Sequence, residues 1–415
     1  MRKALWLVAA LAIVRGLLIA VVIPPFHGVD EQAHFDYVER LVEARALPET
    51  APGCAFGSDE LRSAVRQLVE PANFHPEQPL PILGALPDPL LASSRFTRGC
   101  GPAATYPPLY YALAAAPVLL QRDAPLLRRL FLARLVSVLL GALAAVFVFL
   151  GASTWFGAQR EAWLVTLVFL LQPQLAFLFG IVNNDAALFA ACAGALWAVA
   201  ARSWRGLLLA ALAAALVKPT FLVFVPALAL LSGRRRMWAL APGTLLALVL
   251  PLFRGSALPA AGPGAPLSLA GYVAYALSPK HLFFVWHELY WMGWGWADTW
   301  LAKPWYLLLL AALCAALASA LVAWRGLGLH ERALLGLGAL GTLASLLLLH
   351  GLELPYLRRT GQGLLQGRYL LSLFPLHAAM IVTALRVDRA RLGFVALLAL
   401  MLCASFVRAL ARYHA

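Results

Sequence analysis

Two carboxylates and an imidazole crowd into the five positions Asp30-Glu31-Gln32-Ala33-His34, directly after the first long apolar run of the chain. Carboxylates placed there can take a proton from a hydroxyl or an amine, or join an imidazole in holding a divalent cation. The plainer reading is that Asp30, behind Gly28 and Val29, only caps the helix that follows. Capping leaves His34 unexplained, because it lies one helical turn along on the same face as Asp30. A second acidic position, Asp185, follows Asn183 and Asn184 between two apolar runs. It is either a turn former or a second carboxylate facing Asp30 across a cleft. A third set comprises Trp286, His287, Glu288, Tyr290, Trp291, Trp294, Trp296 and Trp300. Such rings either anchor a chain at a membrane interface or stack on a sugar or an isoprenoid. The fourth is Arg358, Arg359, Gln366, Gly367, Arg368 and Tyr369, whose guanidinium groups suit a lipid phosphate or, equally, interfacial headgroups. Arg15 and Lys218 add charges within apolar runs, where an ionisable residue is expensive.

The elements that must position these groups follow from composition. With 62% hydrophobic and 13% charged residues and a mean hydropathy of +0.79, the chain reads as an all-α polytopic membrane protein. The net charge of +14 falls in short loops between apolar runs, which is the orientation signal of membrane insertion. No basic stripe with interleaved aromatics accompanies it, so nucleic acid is not an expected partner. Met1 to Ile23 reads as a retained first span, since Arg15 interrupts it and no small-residue cleavage site precedes Pro24 and Pro25.

At about 20 residues per span, helices are expected near 4–23, 131–152, 162–181, 186–201, 237–253, 304–324, 333–351, 367–385 and 392–410. The run 206–232 contains Lys218-Pro219 near its middle and reads as two short spans meeting at the far surface. That division puts Arg202 and Arg205 on the same side as Arg234, Arg235 and Arg236, and gives about eleven spans in all. With the basic loops inside, residues 24–130 form a long first outer loop. The Asn183-Asn184-Asp185 turn, the Trp-rich stretch 254–303 and the segment 351–366 lie on the same outer face.

Within the first outer loop, Phe35, Val38, Leu41 and Val42 recur at helical spacing opposite Asp36, Glu39, Arg40 and Glu43. Asp30 to Ala46 is therefore expected to form an amphipathic helix lying along the membrane surface. Tyr106-Pro107-Pro108-Leu109-Tyr110-Tyr111 opens an apolar stretch to about Leu120 that is too short to span, and Gln172-Pro173-Gln174 suggests a kinked helix end. Cys192, Cys314 and Cys403 sit in apolar runs, while Cys54 and Cys100 share the outer loop. They are either two thiols or a disulfide that closes the loop and stabilises it by roughly 4 kcal/mol. No CxxC or HExxH pair gives a metal signature.

The order of these features resembles the GT-C superfamily of membrane glycosyltransferases, which includes protein mannosyltransferases and aminoarabinose transferases. The resemblance rests on the acidic pair after the first span, the amphipathic helix behind it, the Pro-Pro-aromatic segment and the acidic residue between the third and fourth spans. Asp30-Glu31-Gln32-Ala33-His34-Phe35, Tyr106 to Tyr111, Asn184-Asp185 and Gln366-Gly367-Arg368-Tyr369-Leu370 are similar, more closely, to a bacterial branch of predicted membrane proteins. Some GT-C relatives carry a soluble outer domain after the last span, and nothing here matches it.

The resemblance implies a single GT-C-like domain over 1–415 that inverts the sugar carbon as it transfers a sugar from a polyprenyl-phosphate donor. The acceptor is a glycan, lipid or protein at the outer face of a bacterial inner membrane. Asp30, Glu31 and Asp185 are then the catalytic candidates, with Asp30 as base. His34, Tyr106, Asn184, Lys218, Arg358, Arg359, Gln366, Arg368 and Tyr369 are the substrate-binding candidates. Asp30, Glu31, His34 and Asp185 are the candidate ligands should a divalent metal take part. Two other classes stay open: a lipid or glycan transporter, and a non-catalytic component of envelope polysaccharide assembly.

Overall fold

Backbone amides inside a bilayer must be satisfied within the chain, and a helix does this segment by segment. The computed structural model describes residues 1–49, 58–74, 101–254, 267–295, 298–361 and 363–414. The described residues are helices and connections, with one isolated bridge between Trp294 and Thr299. In chain order the helices are α1 (Arg2–Val22), α2 (Glu31–Ala44), α3 (Asp59–Phe74), α4 (Leu109–Leu119), α5 (Leu126–Phe156), α6 (Gln159–Leu171), α7 (Pro173–Leu178), α8 (Asp185–Ala200) and α9 (Trp204–Ala215). They continue with α10 (Val225–Ser232), α11 (Ala241–Arg254), α12 (Leu269–Ala276), α13 (Pro279–Phe283), α14 (Leu289–Trp291), α15 (Lys303–Ala323), α16 (Leu329–Thr360), α17 (Phe374–Ala384) and α18 (Asp388–Tyr413).

Helices α1, α5, α15, α16 and α18 are long and apolar enough to cross a membrane, so the chain is a helical membrane protein. Helices α4, α8 and α9 and the stretch Met237–Pro251 are apolar but shorter. At 1.5 Å per residue, α8 reaches about 24 Å and α9 about 18 Å, against about 30 Å of hydrocarbon. Asn184 and Asp185 at the start of α8, and Lys218 just past the end of α9, are buried.

Local chemistry explains where the helices break. The run 162–181 divides because Pro173 cannot continue α6; Gln172 instead accepts from the Leu175 amide and caps α7. The run 206–232 divides at Lys218-Pro219, where α9 gives way to a 3-10 turn (Pro219–Val223) and then α10. Helix α16 runs well past the expected 333–351, so Arg358 and Arg359 form its last turn.

One expectation is corrected by packing. Helix α2 does not lie on a surface with its polar face free, because Asp36, Glu39 and Arg40 are buried along with Phe35, Val38 and Val42. Its polar face is covered: Arg129 of α5 pairs with both Glu39 and Glu60 of α3, and Arg40 donates to Asp36 at 2.7 Å. The Trp-rich stretch is likewise drawn inward. Trp294 is fully buried, donates to the Pro173 carbonyl at 2.9 Å and stacks on Phe177. Gln172 and Gln174 grip the same segment through the Tyr290 carbonyl and the Gly293 amide, at 2.6 and 2.7 Å. Trp296 falls outside the described residues, as do Cys54 and Cys100.

Candidate active site

Asp30 sits at the N-cap position of α2 in a left-handed conformation, φ 58° and ψ 13°, and its side chain makes no capping bond. Capping therefore does not account for it. A left-handed L-residue costs about 1 kcal/mol, least for Asp and Asn. The carboxylate is 51% exposed and lies 3.5 Å from Nη2 of Arg368. One helical turn on, His34 is held at Nδ1 by the Tyr111 hydroxyl at 2.8 Å, and Tyr111 stacks on Tyr37 at 3.8 Å between ring centres. Burial pushes the His34 imidazole down to about 4, so it is neutral at pH 7.

Asp185 opens α8, its amide tied to the Asn183 side chain at 2.8 Å in an Asx turn. Its carboxylate accepts from Lys218 Nζ at 2.6 Å, across 33 residues of sequence. Lys218 stands at the break between α9 and α10, and its ammonium also lies over the Tyr106 ring, 5.3 Å from its centre. Tyr106 in turn is 5.8 Å from the His34 ring. Arg368 enters from the segment before α17, where its guanidinium lies over Tyr369. That segment can approach because residue 367 is glycine: a Cβ there would stand 2.3 Å from the Val285 carbonyl oxygen and 2.8 Å from the Tyr290 nitrogen. His34 feels Asp30, Asp185, Lys218 and Arg368 together, so the four charges form one cluster.

Several polar atoms in this cluster lack partners. Arg368 Nε and Nη1, both amide atoms of Asn184, and Gln32 Oε1 are buried without a hydrogen bond. Buried polar groups are nearly always paired, so a concentration of exceptions in one place points to a ligand. Two carboxylates stand beside two cations here, and the unpartnered nitrogens belong to Arg368 and to the Asn184 amide. An anionic group beside a hydroxylated one satisfies this set.

The structure brings Asp30, His34, Tyr106, Asn184, Asp185, Lys218, Arg368 and Tyr369 together, and moves others away. Glu31 is fully buried and is taken up by other partners. Arg134 of α5 holds it by two bonds of 2.8 and 2.6 Å, and the Phe26 and Val182 amides complete its acceptors at 3.0 and 2.9 Å. The same guanidinium donates to the carbonyls of Ala20, Ile23 and Pro24. Glu31 is thus a clamp joining the end of α1 to α5 and the 182 turn, with no oxygen left for substrate. Arg358 is exposed and donates to the Leu267 carbonyl at 2.9 Å. Arg358 and Arg359 stay on α16, and Gln366 precedes the turn that carries Arg368.

A divalent metal does not fit this donor set. Glu31 is saturated and Asp185 is neutralised by Lys218, which leaves Asp30 and His34 Nε2 as the open donors, too few to hold an ion. No group of three potential ligands exists among the described residues. Sequence reasoning missed Arg134, the Arg129 clamp and the pairing role of Tyr111. Arg134 and Arg129 fall near the start of an apolar run and read there as ordinary boundary charges.

No curated protein and no solved structure matches the chain. A family model described as "Predicted membrane protein (DUF2142)" matches residues 13–377, a stretch that holds every charged member of the cluster. The chain belongs to this DUF2142 family of membrane proteins.

Proposed function

We propose that the protein is a membrane glycosyltransferase that moves a sugar from a polyprenyl-phosphate donor to a hydroxyl or amine acceptor. The observation that carries this reading is the half-exposed Asp30 carboxylate beside a buried arginine with two open nitrogens. A base and a phosphate-binding cation in one place are what such a transfer needs. Asp30 takes the proton of the acceptor hydroxyl as its oxygen attacks the anomeric carbon. The bond from that carbon to the phosphate oxygen breaks, and its electron pair leaves with the polyprenyl phosphate. Arg368 neutralises the leaving phosphate, Lys218 adds a second positive charge, and Asp185 fixes Lys218 in place. Asn184 offers a donor and an acceptor to sugar hydroxyls, and attack opposite the leaving group inverts the sugar carbon.

A lipid-linked donor also suits the surroundings. An apolar groove of about 370 Å³ between α4, α5, α8 and α9 is lined by Leu113, Leu140, Leu209 and Val217. Val217 is the neighbour of Lys218, and Leu113 and Leu209 are exposed at the groove's open side. The reading extends to a GT-C-like arrangement of about eleven spans with the cluster on the outer face. Purified protein in proteoliposomes, given polyprenyl-phosphate sugars and envelope extracts, should release polyprenyl phosphate only when acceptor is present. Movement of intact donor across the bilayer without bond cleavage would favour a transporter instead.

A further inference from the structure

A second polar cluster lies apart from the candidate active site. Helix α16 buries Glu353 completely, and Tyr272 of α12 joins it to His350: the Tyr272 hydroxyl is 2.8 Å from Glu353 Oε2 and 2.7 Å from His350 Nδ1. Trp286 packs on His350 at 5.5 Å between ring centres, and His281 lies 6.3 Å from it on the other side. His281 in turn meets the Tyr275 ring at 4.5 Å. Two atoms here have no partner. His281 is 7% exposed, yet its Nε2 makes no hydrogen bond, and neither does the indole Nε1 of Trp286.

Trp286 and His350 also line an apolar groove of about 600 Å³ between α15, α16 and α17. Leu277, Leu282, Leu343 and Leu347 line its open side and are exposed. Of the two residues with an unpartnered atom, Trp286 lines this groove, and His281 stands beside its neighbour His350.

The two atoms narrow the chemistry. An indole N–H only donates, so its partner must accept, and an ammonium head group cannot. Glu353 is the carboxylate that reaches this cluster, through the Tyr272 hydroxyl and 3.7 Å from His350 Nδ1. A phosphate or carboxylate there would meet this like charge. A hydroxyl both accepts and donates, which suits the indole and the imidazole together. The Tyr275 face, 38% exposed, offers the apolar surface on which a sugar ring stacks.

We infer that this groove binds a neutral glycolipid, its tail along α16 and its sugar hydroxyls on Trp286 Nε1 and His281 Nε2. The site is distinct in chemistry from the Arg368 cluster, which selects an anion, and the inference does not depend on the proposed transfer. Leu365 donates its amide to Glu353 at 3.3 Å, three residues before Arg368, so the two sites share one connecting segment.

The test uses full-length protein in phosphatidylcholine nanodiscs with two photoreactive probes of identical acyl chains: a monoglucosyl diacylglycerol and a phosphatidic acid, each with a diazirine in the tail. Peptide mapping should find the glucosyl probe on residues 282–291 and 343–350, at several times the level of the phosphatidic acid. His281→Phe with Trp286→Phe removes both hydrogen-bonding nitrogens while keeping an aromatic ring at each position, and should cut glucosyl labelling roughly tenfold. Equal labelling by the two probes, or undiminished labelling in a double variant that melts like wild type, would overturn the inference. Should the double variant fail to fold, excess unlabelled monoglucosyl diacylglycerol on wild type decides: displacement of the glucosyl probe supports the site, and none overturns it.

Discussion

Arg368 is where the proposed donor recognition can be weighed most closely. Its guanidinium sits 10% exposed, with Nη2 loosely placed 3.5 Å from Asp30 and with Nε and Nη1 unpartnered. A phosphate there would gain charged hydrogen bonds worth about 1.5–3 kcal/mol at no cost in existing bonds. Arg368→Ala should then weaken binding of a polyprenyl-phosphate sugar by roughly 10- to 150-fold. Arg368→Lys keeps a point charge and loses the planar fork, so it should fall between wild type and alanine. Binding is measured in nanodiscs at fixed salt, with exposed Arg325, far along the chain from the cluster, changed to Ala as the control for general lipid electrostatics. Equal affinities for wild type and Arg368→Ala, or an equal loss in Arg325→Ala, would refute the assignment.

Other consequences follow from the same geometry. Glu31→Gln leaves the buried Arg134 short of its counter-ion and should destabilise the fold by about 3–5 kcal/mol; Glu31→Gln protein melting within a degree of wild type would show that Glu31 is no clamp. The His34 imidazole is held near 4 while an unfolded one titrates near 6.5. Protonation therefore favours the unfolded chain, and the melting temperature should drop as pH falls from 6.5 towards 4. His34→Asn should flatten part of that drop, and an unchanged slope would remove His34 from the cause. For topology, single cysteines at 30 and 368 in a cysteine-free background should label from outside sealed cells. A cysteine at 234 or 235 should not, and its labelling would invert the orientation.

The helical class, the long apolar segments and the breaks at Pro173 and Pro219 were legible in the sequence because hydropathy and proline act locally. So were Asp30, His34, Asp185 and Arg368 as candidates, since each is a polar residue at the end of an apolar run. What local pattern cannot carry is pairing across the chain. Glu31 looks as catalytic as its neighbour until Arg134, 103 residues on, is seen to close around it. Lys218 reads as an isolated intramembrane charge until the fold sets it on Asp185. The polar face of α2 seemed a surface because nothing in its own sequence announces Arg129 and the covering α3. Helix α16 extends about two and a half turns further than hydropathy suggests, which makes Arg358 and Arg359 part of its last turn.

The central claim is that Asp30 is a proton acceptor and not a structural residue. Its side chain makes no capping bond and is half exposed, so Asp30→Asn alters shape little and should leave the protein inserted and as heat-stable as wild type. With a polyprenyl-phosphate sugar and its acceptor supplied to purified protein, sugar transfer by Asp30→Asn should drop at least 10²-fold, the lower range for loss of a general base. Turnover within a few-fold of wild type by folded Asp30→Asn would contradict the account.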